Sequence, residues 1–311
     1  VRTEIELQQL EQFIALARAR NFTRAAAELN LSQSALSRAI QKLEEQVGQP
    51  LFERKPREVV PTDLGEILLD RAKEILKLVE DTFSLLSESG RHGRIRLGAI
   101  PTIAPYFLPE LLRSFASRNP QVSVVVQEDT TENLLKRCSH GEIDLAILAQ
   151  PLLAKHLEIE PLFEEELFLV VPSGHELASR EEVTAAAIEP YPFVMLNEAH
   201  CLSDHVASYC RQQSVRPVTV ERISQLATVQ ELVALGHGIS IVPAMARRLD
   251  RDERRVYRSF SGETPRRTIA VAWNPYRYQS KWVNLFREHL REGRGAGRRE
   301  PDPAVSAWDR R

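Results

Sequence analysis

Apolar residues recur with a helical period from the start of the chain. Leu7, Leu10, Phe13, Ile14 and Ala17 fall on one face of a first helix. Asn21 is placed to cap a short second helix marked by Phe22, Ala25, Ala26 and Leu29, and Asn30 suits the turn that ends it. Ser32 is placed to cap a third helix running to about Gln46, with Leu36, Ile40, Leu43 and Val47 on its buried face and Gly48 as its stop. Pro50 to Thr62 reads as a short β-ribbon. A long helix then runs from Thr62-Asp63 to about Ser89, with Thr62 as its cap. Its apolar stripe, Leu64, Leu68, Ala72, Ile75, Val79, Phe83 and Leu86, is bracketed by charged residues and needs a partner to cover it. The same helix of a second chain is favoured over packing on its own domain, because two copies suit a two-fold target.

Beyond the hinge at Glu88 to Gly93 the period changes. Strands are expected over Arg94–Ile100, Val122–Gln127, Ile143–Leu148 and Leu162–Val171, with helices from Pro101-Thr102 to about Asn119 and from Thr131 to Ser139. Further strands fall near Phe193–Leu196, Gly238–Val242 and Thr268–Trp273, and further helices start at about Leu202 and at Ser224. Such alternation predicts a parallel α/β sheet. Two crossings of the chain then give two lobes and a cleft. The expected organisation is a small helical head with a ribbon over 1–62, a linker helix and hinge over 63–93, and a two-lobed domain over 94–291. Lobe I takes about 94–163 and 267–291, and lobe II about 164–266; residues 292–311, rich in Gly, Arg and Pro, read as a disordered tail.

Two short helices, a tight turn and a third helix make a helix-turn-helix. The third helix presents Gln33, Ser34, Ser37, Arg38, Gln41 and Lys42, hydrogen-bonding side chains with no carboxylate among them, as a major-groove helix requires. Arg54, Lys55 and Arg57 sit at the tip of the ribbon, where they can meet phosphates. Charge adds nothing to this: the chain carries a net charge of −2, and residues 1–62 hold 9 Arg and Lys against 8 Asp and Glu. A three-helix packing module with a solvated face has the same periodicity, so the case rests on motif detail.

That detail is a long contiguous pattern. FTRAAAELNLSQSALSRAIQKLEEQVGQPLFER followed by PTDLGE resembles the N-terminal signature of LysR-type transcriptional regulators. The resemblance implies a winged helix-turn-helix, a linker helix and a two-lobed α/β effector domain like that of periplasmic binding proteins. It also implies double-stranded DNA with a palindromic operator as partner, a homodimer that assembles into a homotetramer, and RNA polymerase as a candidate contact. No cofactor or metal is expected. The longest apolar runs are strand-sized and the opening stretch lacks an apolar core, so a cytoplasmic protein with no membrane partner is expected.

Three cysteines in a long chain do not make a disulfide scaffold. Their placement is more informative. Cys201 falls at a predicted helix N-terminus beside His200, where the helix dipole favours the reactive thiolate, and Asp204 lies one turn on. Cys210 follows nine residues later; on one regular helix that separation is about 13.5 Å and half a turn of phase. A disulfide needs Cα atoms within about 7 Å, so a bridge competes with the helix, as in a redox switch. Thr102 and Thr131 sit at strand ends before helices, where a cap role or a small ligand suits them equally.

The His200-Cys201-Leu202-Ser203-Asp204 run with Cys210 is similar to the peroxide-sensing branch of the LysR family. Further likeness comes from IPTIAPYFLP around Thr102, TENLL from Thr131, LVALGHGISIVPA, and PRRTIAV with Arg266 and Arg267. The resemblance implies that Cys201 is the peroxidatic thiol and Cys210 the resolving one. It places Thr102, Thr131, His200, Asp204 and Arg267 around hydrogen peroxide as the signal. The chain departs from that branch at Ser203, where Arg is common, at His205, where Gln is common, and at Ala199, where Gly is common. Cys138 has no matching role. Two alternatives stand beside this: a LysR-type regulator binding a small organic acid in the inter-lobe cleft, and an enzyme with a cysteine nucleophile. The second lacks a third catalytic group and leaves the reading head without a purpose.

Overall fold

A computed structural model describes residues 5–55, 58–87, 93–197, 200–216 and 218–292 of the chain. Arg57, Ala199, most of the expected hinge and the tail beyond Glu292 lie outside the described residues. The chain divides into an N-terminal and a C-terminal unit.

The N-terminal unit contains α1 (Leu7–Ala19), α2 (Phe22–Glu28), α3 (Gln33–Val47), β1 (Phe52–Arg54), β2 (Val59–Pro61) and α4 (Asp63–Ser87). The expected caps are in place. Asn21 Oδ1 accepts the Arg24 N–H at 3.0 Å and Ser32 Oγ accepts the Ala35 N–H at 3.2 Å. Gly48 closes α3 in the left-handed region, φ 81°, where a side chain would be strained. Phe13, Leu16, Leu36, Ile40 and Leu43 fill the core between the helices, joined by Leu51 and Phe52 from the antiparallel ribbon β1–β2. Glu44, at the far end of α3, accepts the amides of Leu51 at 2.8 Å and Phe52 at 3.2 Å and so fixes where the ribbon starts. Thr62 caps α4 through Gly65 N–H at 3.0 Å. Gly65 itself is required by close approach, since a Cβ there would lie 2.2 Å from the Leu51 carbonyl oxygen.

The stripe on α4 does not behave as one surface. Leu64, Leu68 and Ala72 pack on the unit's own core with Leu69 and Leu76, whereas Ile75 and Phe83 are exposed together with Ile67 and Leu78. The helix thus covers one face on its own unit and leaves Ile67, Ile75, Leu78 and Phe83 exposed.

The C-terminal unit runs β3 (Gly93–Ala99), α5 (Ala104–Arg118), β4 (Val122–Glu128), α6 (Thr131–Ser139), β5 (Leu145–Ala149) and β6 (Glu158–Pro172). It continues through β7 (Glu182–Val183), β8 (Pro192–Leu196), α7 (Cys201–Gln212), β9 (Val218–Ile223), α8 (Leu226–Ala234) and β10 (Ser240–Pro243). α9 (Ala244–Leu249), β11 (Arg255–Phe260), β12 (Arg266–Trp273) and α10 (Lys281–Glu292) complete it. The expected parallel sheet needs correction. β3 pairs in parallel with β4 and β5, but β12 is antiparallel to both β5 and β6, and β10 and β11 are antiparallel to β6. β6 is the reason: it is long enough to leave lobe I paired with β12 and enter lobe II paired with β10 and β11. One mixed sheet thus runs through both lobes, with β8 and β9 forming a separate parallel pair.

Each lobe has its own core. Ile95, Leu97, Leu108, Phe115, Ile147 and Phe286 lie in the first, and Leu169, Phe193, Val194, Val206, Val229 and Phe260 in the second. Among the described residues no helix is long and apolar enough to cross a membrane.

Candidate functional site: a DNA-reading face and a thiol crevice

On α3 the buried residues Leu36, Ile40 and Leu43 recur every three to four positions, which turns the remaining face outward. Gln33, Ser34, Arg38, Gln41 and Lys42 are exposed there, while Ser37 is half-buried. Two of the exposed donors already have acidic neighbours: Lys42 Nζ lies 3.0 Å from Glu6, and Gln41 donates to Glu45 at 3.1 Å. Both contacts are solvent-exposed and weak, so exchange for phosphate or base partners costs little. On the ribbon, Arg54 and Lys55 are exposed, with the Arg54 guanidinium over the Phe22 ring.

The thiol site forms where lobe I meets lobe II. Cys201 is the first residue of α7, His200 its N-cap, and the sulfur's residue is half-buried against the lobe I core. A narrow crevice beside it is lined by Ile100, Pro101, Thr102, Thr130, Thr131 and His200. The two expected threonines are not caps. Thr130 takes that role for α6 through the Asn133 N–H at 3.4 Å, leaving Thr131 Oγ1 buried without a hydrogen-bond partner. Thr102 Oγ1 accepts from Arg267 at 2.9 Å, and its carbonyl accepts from the same guanidinium at 3.1 Å.

Arg267 therefore stands behind the crevice instead of lining it. It is 2% exposed and paired with Glu165, Nε to Oε1 2.7 Å, directly across the β12–β6 register. The same carboxylate accepts the Met245 N–H at 3.2 Å. A buried charge so fully partnered is held in place, and it holds Thr102 in turn. Asp204 is corrected outright: it is exposed and absent from the crevice, because Leu202, Ser203 and Val206 take the inward side of α7.

Two residues acquire roles the sequence did not assign. Ser203 is buried and its hydroxyl reaches the carbonyls of Leu196 at 2.7 Å and Asn197 at 2.9 Å, tying the start of α7 to the end of β8. His205 Nδ1 lies 2.6 Å from the Cys201 carbonyl oxygen and Nε2 lies 2.6 Å from that of Gln150. The i,i+4 spacing from Cys201 was the available signal; the Gln150 contact has none in the sequence.

Cys210 is on the same unbroken helix, but its thiol is buried in the lobe II core. Burial pushes it up to about 11, against a smaller opposing pull from Arg211. Cys138 is a core residue whose thiol burial, with Asp144 adding to it, raises to about 12. All three cysteines are free. Among the described residues no group of His, Cys, Asp and Glu is arranged to hold a metal ion.

Comparison with known proteins matches both parts of the chain to known families. Residues 7–66 match the bacterial regulatory helix-turn-helix protein family, lysR type, and residues 88–295 match the LysR substrate-binding domain. The chain is 35% identical over 277 residues to the DNA-binding transcriptional dual regulator OxyR of Escherichia coli K12, covering 87% of this chain and 90% of that protein. Full-length OxyR from Pseudomonas aeruginosa, solved as a cysteine variant, superposes with a TM-score of 0.76 at 28% identity, covering 93% of this chain and 95% of that one. An H2O2-bound mutant of OxyR from Corynebacterium glutamicum is similar at a TM-score of 0.63 and 30% identity, covering 96% and 94%.

Proposed function

The chain belongs to the LysR family of bacterial regulatory proteins, and on that premise we propose that it is a DNA-binding transcriptional regulator sensing hydrogen peroxide through Cys201, with Cys210 as the resolving thiol. The observation that carries the reading is the crevice. A half-buried thiol at a helix N-terminus shares it with His200 and with the buried, unpartnered hydroxyl of Thr131. A helix N-terminus favours the thiolate. The crevice is closed to a water-sized sphere, so any ligand enters it by local opening.

The Cys201 thiolate attacks one peroxide oxygen. An S–O bond forms, the O–O bond breaks, and the departing hydroxide takes up a proton to give water; sulfur is oxidised by two electrons and peroxide reduced. Thr131, His200 and Thr102, the last fixed by Arg267, orient the peroxide. Cys210 then displaces the hydroxyl from the sulfenic acid, its own proton leaving with that hydroxyl as water, and an S–S bond forms. Because the two residues lie about 13.5 Å apart along α7, closure requires the helix to unwind. That conformational change is the signal.

Gln33, Ser34, Ser37, Arg38, Gln41 and Lys42 enter the major groove, with Arg54, Lys55 and Arg57 on flanking phosphates. Two chains pair through the exposed apolar turns of α4, Ile75, Leu78 and Phe83, and set two heads on a palindromic operator; pairs associate into tetramers. The protein acts in the cytoplasm and is not an enzyme. A second reading, a small organic acid as effector, is favoured by an open cavity of about 550 Å3 between the lobes, walled by Gln150, His205, Arg266 and Arg267.

Peptide mapping of thiols before and after stoichiometric peroxide separates the two. A Cys201–Cys210 disulfide is expected. An unreactive Cys201, or a bridge from Cys201 to Cys138, overturns the assignment.

A further inference from the structure

The environment of His205 carries a step beyond this. Its two ring nitrogens each face a backbone carbonyl oxygen at 2.6 Å, Nδ1 toward Cys201 and Nε2 toward Gln150. A carbonyl oxygen only accepts hydrogen bonds. A neutral imidazole has one N–H and one lone pair, so one of the two contacts would set lone pair against lone pair; the imidazolium donates to both.

We infer that His205 is a positioning residue for the thiol chemistry, an imidazolium held at Cys201 through that residue's carbonyl that promotes oxidation of its sulfur and ceases to do so when it loses its proton. The inference rests on Cys201 being the peroxide-reactive thiol. A cation beside sulfur favours the anionic, nucleophilic form. Ser203, between the two on α7, is buried and neutral, so the charge comes from His205, one turn on from Cys201 on the same helix face.

The charged and titratable groups around the ring are few. Cys201 and Asp204 flank it on α7, the latter exposed; Arg266 and Arg267 face the same cavity from β12, and Arg267 is matched by Glu165. The Gln150 segment contributes only its carbonyl. Burial opposes a charged ring, but the neighbouring Cys201 side chain and the hydrogen bonds to the Gln150 and Cys201 carbonyls outweigh it and raise His205 above the ordinary histidine value.

The test is the rate of Cys201 oxidation by hydrogen peroxide in the full chain, followed by quenched thiol alkylation and mass spectrometry from about pH 6 to about pH 9. His205→Gln fills much the same space without the charge. It should react roughly tenfold more slowly near neutral pH, and the gap should close as alkali removes the proton from wild-type His205. His205→Lys, which keeps a cation, should recover most of the neutral-pH rate. Equal rates for wild type and His205→Gln at every pH overturn the inference, as does a deficit that pH does not change, which would mark a purely steric role. If instead wild-type Cys201 resists peroxide, the sensing assignment itself falls, whatever the variants do.

Discussion

Helices α3 and α7 both begin at the point where they do their work, and they are built on opposite principles. α3 is capped by the Ser32 hydroxyl, closed by Gly48 in the left-handed region, and buries a single face made of Leu36, Ile40 and Leu43. Its outer face carries only exposed contacts, Lys42 to Glu6 and Gln41 to Glu45, and nothing in its packing invites it to unwind. α7 has no side-chain cap at His200, ends on Gln213 without a glycine, and is divided between two cores, Cys201 against lobe I and Cys210 inside lobe II. A rigid helix delivers side chains to a groove in a fixed register. A helix held at its two ends by different lobes can be taken apart by one covalent bond. On the proposed function, α3 is the helix that must hold its register and α7 the one that must come apart.

The sharpest way to break this contrast is to remove the thiol. Cys201→Ser should abolish the transcriptional response to hydrogen peroxide while leaving operator binding by the reduced protein in place. A mutant that still responds would show that α7 is not the switch. Next in size is the other helix's own function. Arg38→Ala removes an exposed donor from the reading face without touching the core, and should weaken operator binding by about 1–3 kcal/mol with unchanged thermal stability. Titration of a labelled operator checks this, and unaltered affinity would take α3 out of the groove.

A smaller effect separates cap from core. Ser32→Ala deletes the oxygen that accepts the Ala35 N–H and should cost about 1 kcal/mol of N-terminal stability by denaturant melting. The peroxide oxidation rate of Cys201 should not move. Loss of both together would mean that the reading head and the thiol are coupled in the reduced protein.

How much of this was legible beforehand depends on how local each feature is. The caps of α2 and α3, the stop at Gly48 and the ribbon after Pro50 are set by neighbours in the chain, and they sit where the pattern placed them. The antiparallel pairing of β6 and β12 was missed, because strands buried on both faces read as apolar runs whatever their direction. α9, β11 and α10 were not picked out at all. At the thiol, the pairing of Arg267 with Thr102 and Glu165 spans distant segments, and the family resemblance placed Asp204 in the pocket when the packing of Leu202 and Val206 turns it out. His205 read as a departure for the same reason: half of its environment is the Gln150 carbonyl, far away in sequence.

The least of the expected effects lies at the end of α7 that must release Cys210. Ser214 occupies the left-handed region, φ 59°, and that turn lets the Val215 N–H reach the Cys210 carbonyl at 2.8 Å. Serine is strained there and glycine is not, although glycine also gains freedom in the unwound chain. Ser214→Gly should therefore stabilise the reduced turn by about 0.5–1 kcal/mol net. The first oxidation of Cys201 is remote from this turn and should keep its rate. Closure of the disulfide requires the turn to open, so it should slow by roughly two- to fivefold at that energy. Quenched-flow separation of the sulfenic acid from the disulfide reads the two steps independently. A variant in which both steps keep their wild-type rates would mean that the last turn of α7 stays folded while the sulfurs meet, and the unwinding would then have to be confined to the Cys201 end.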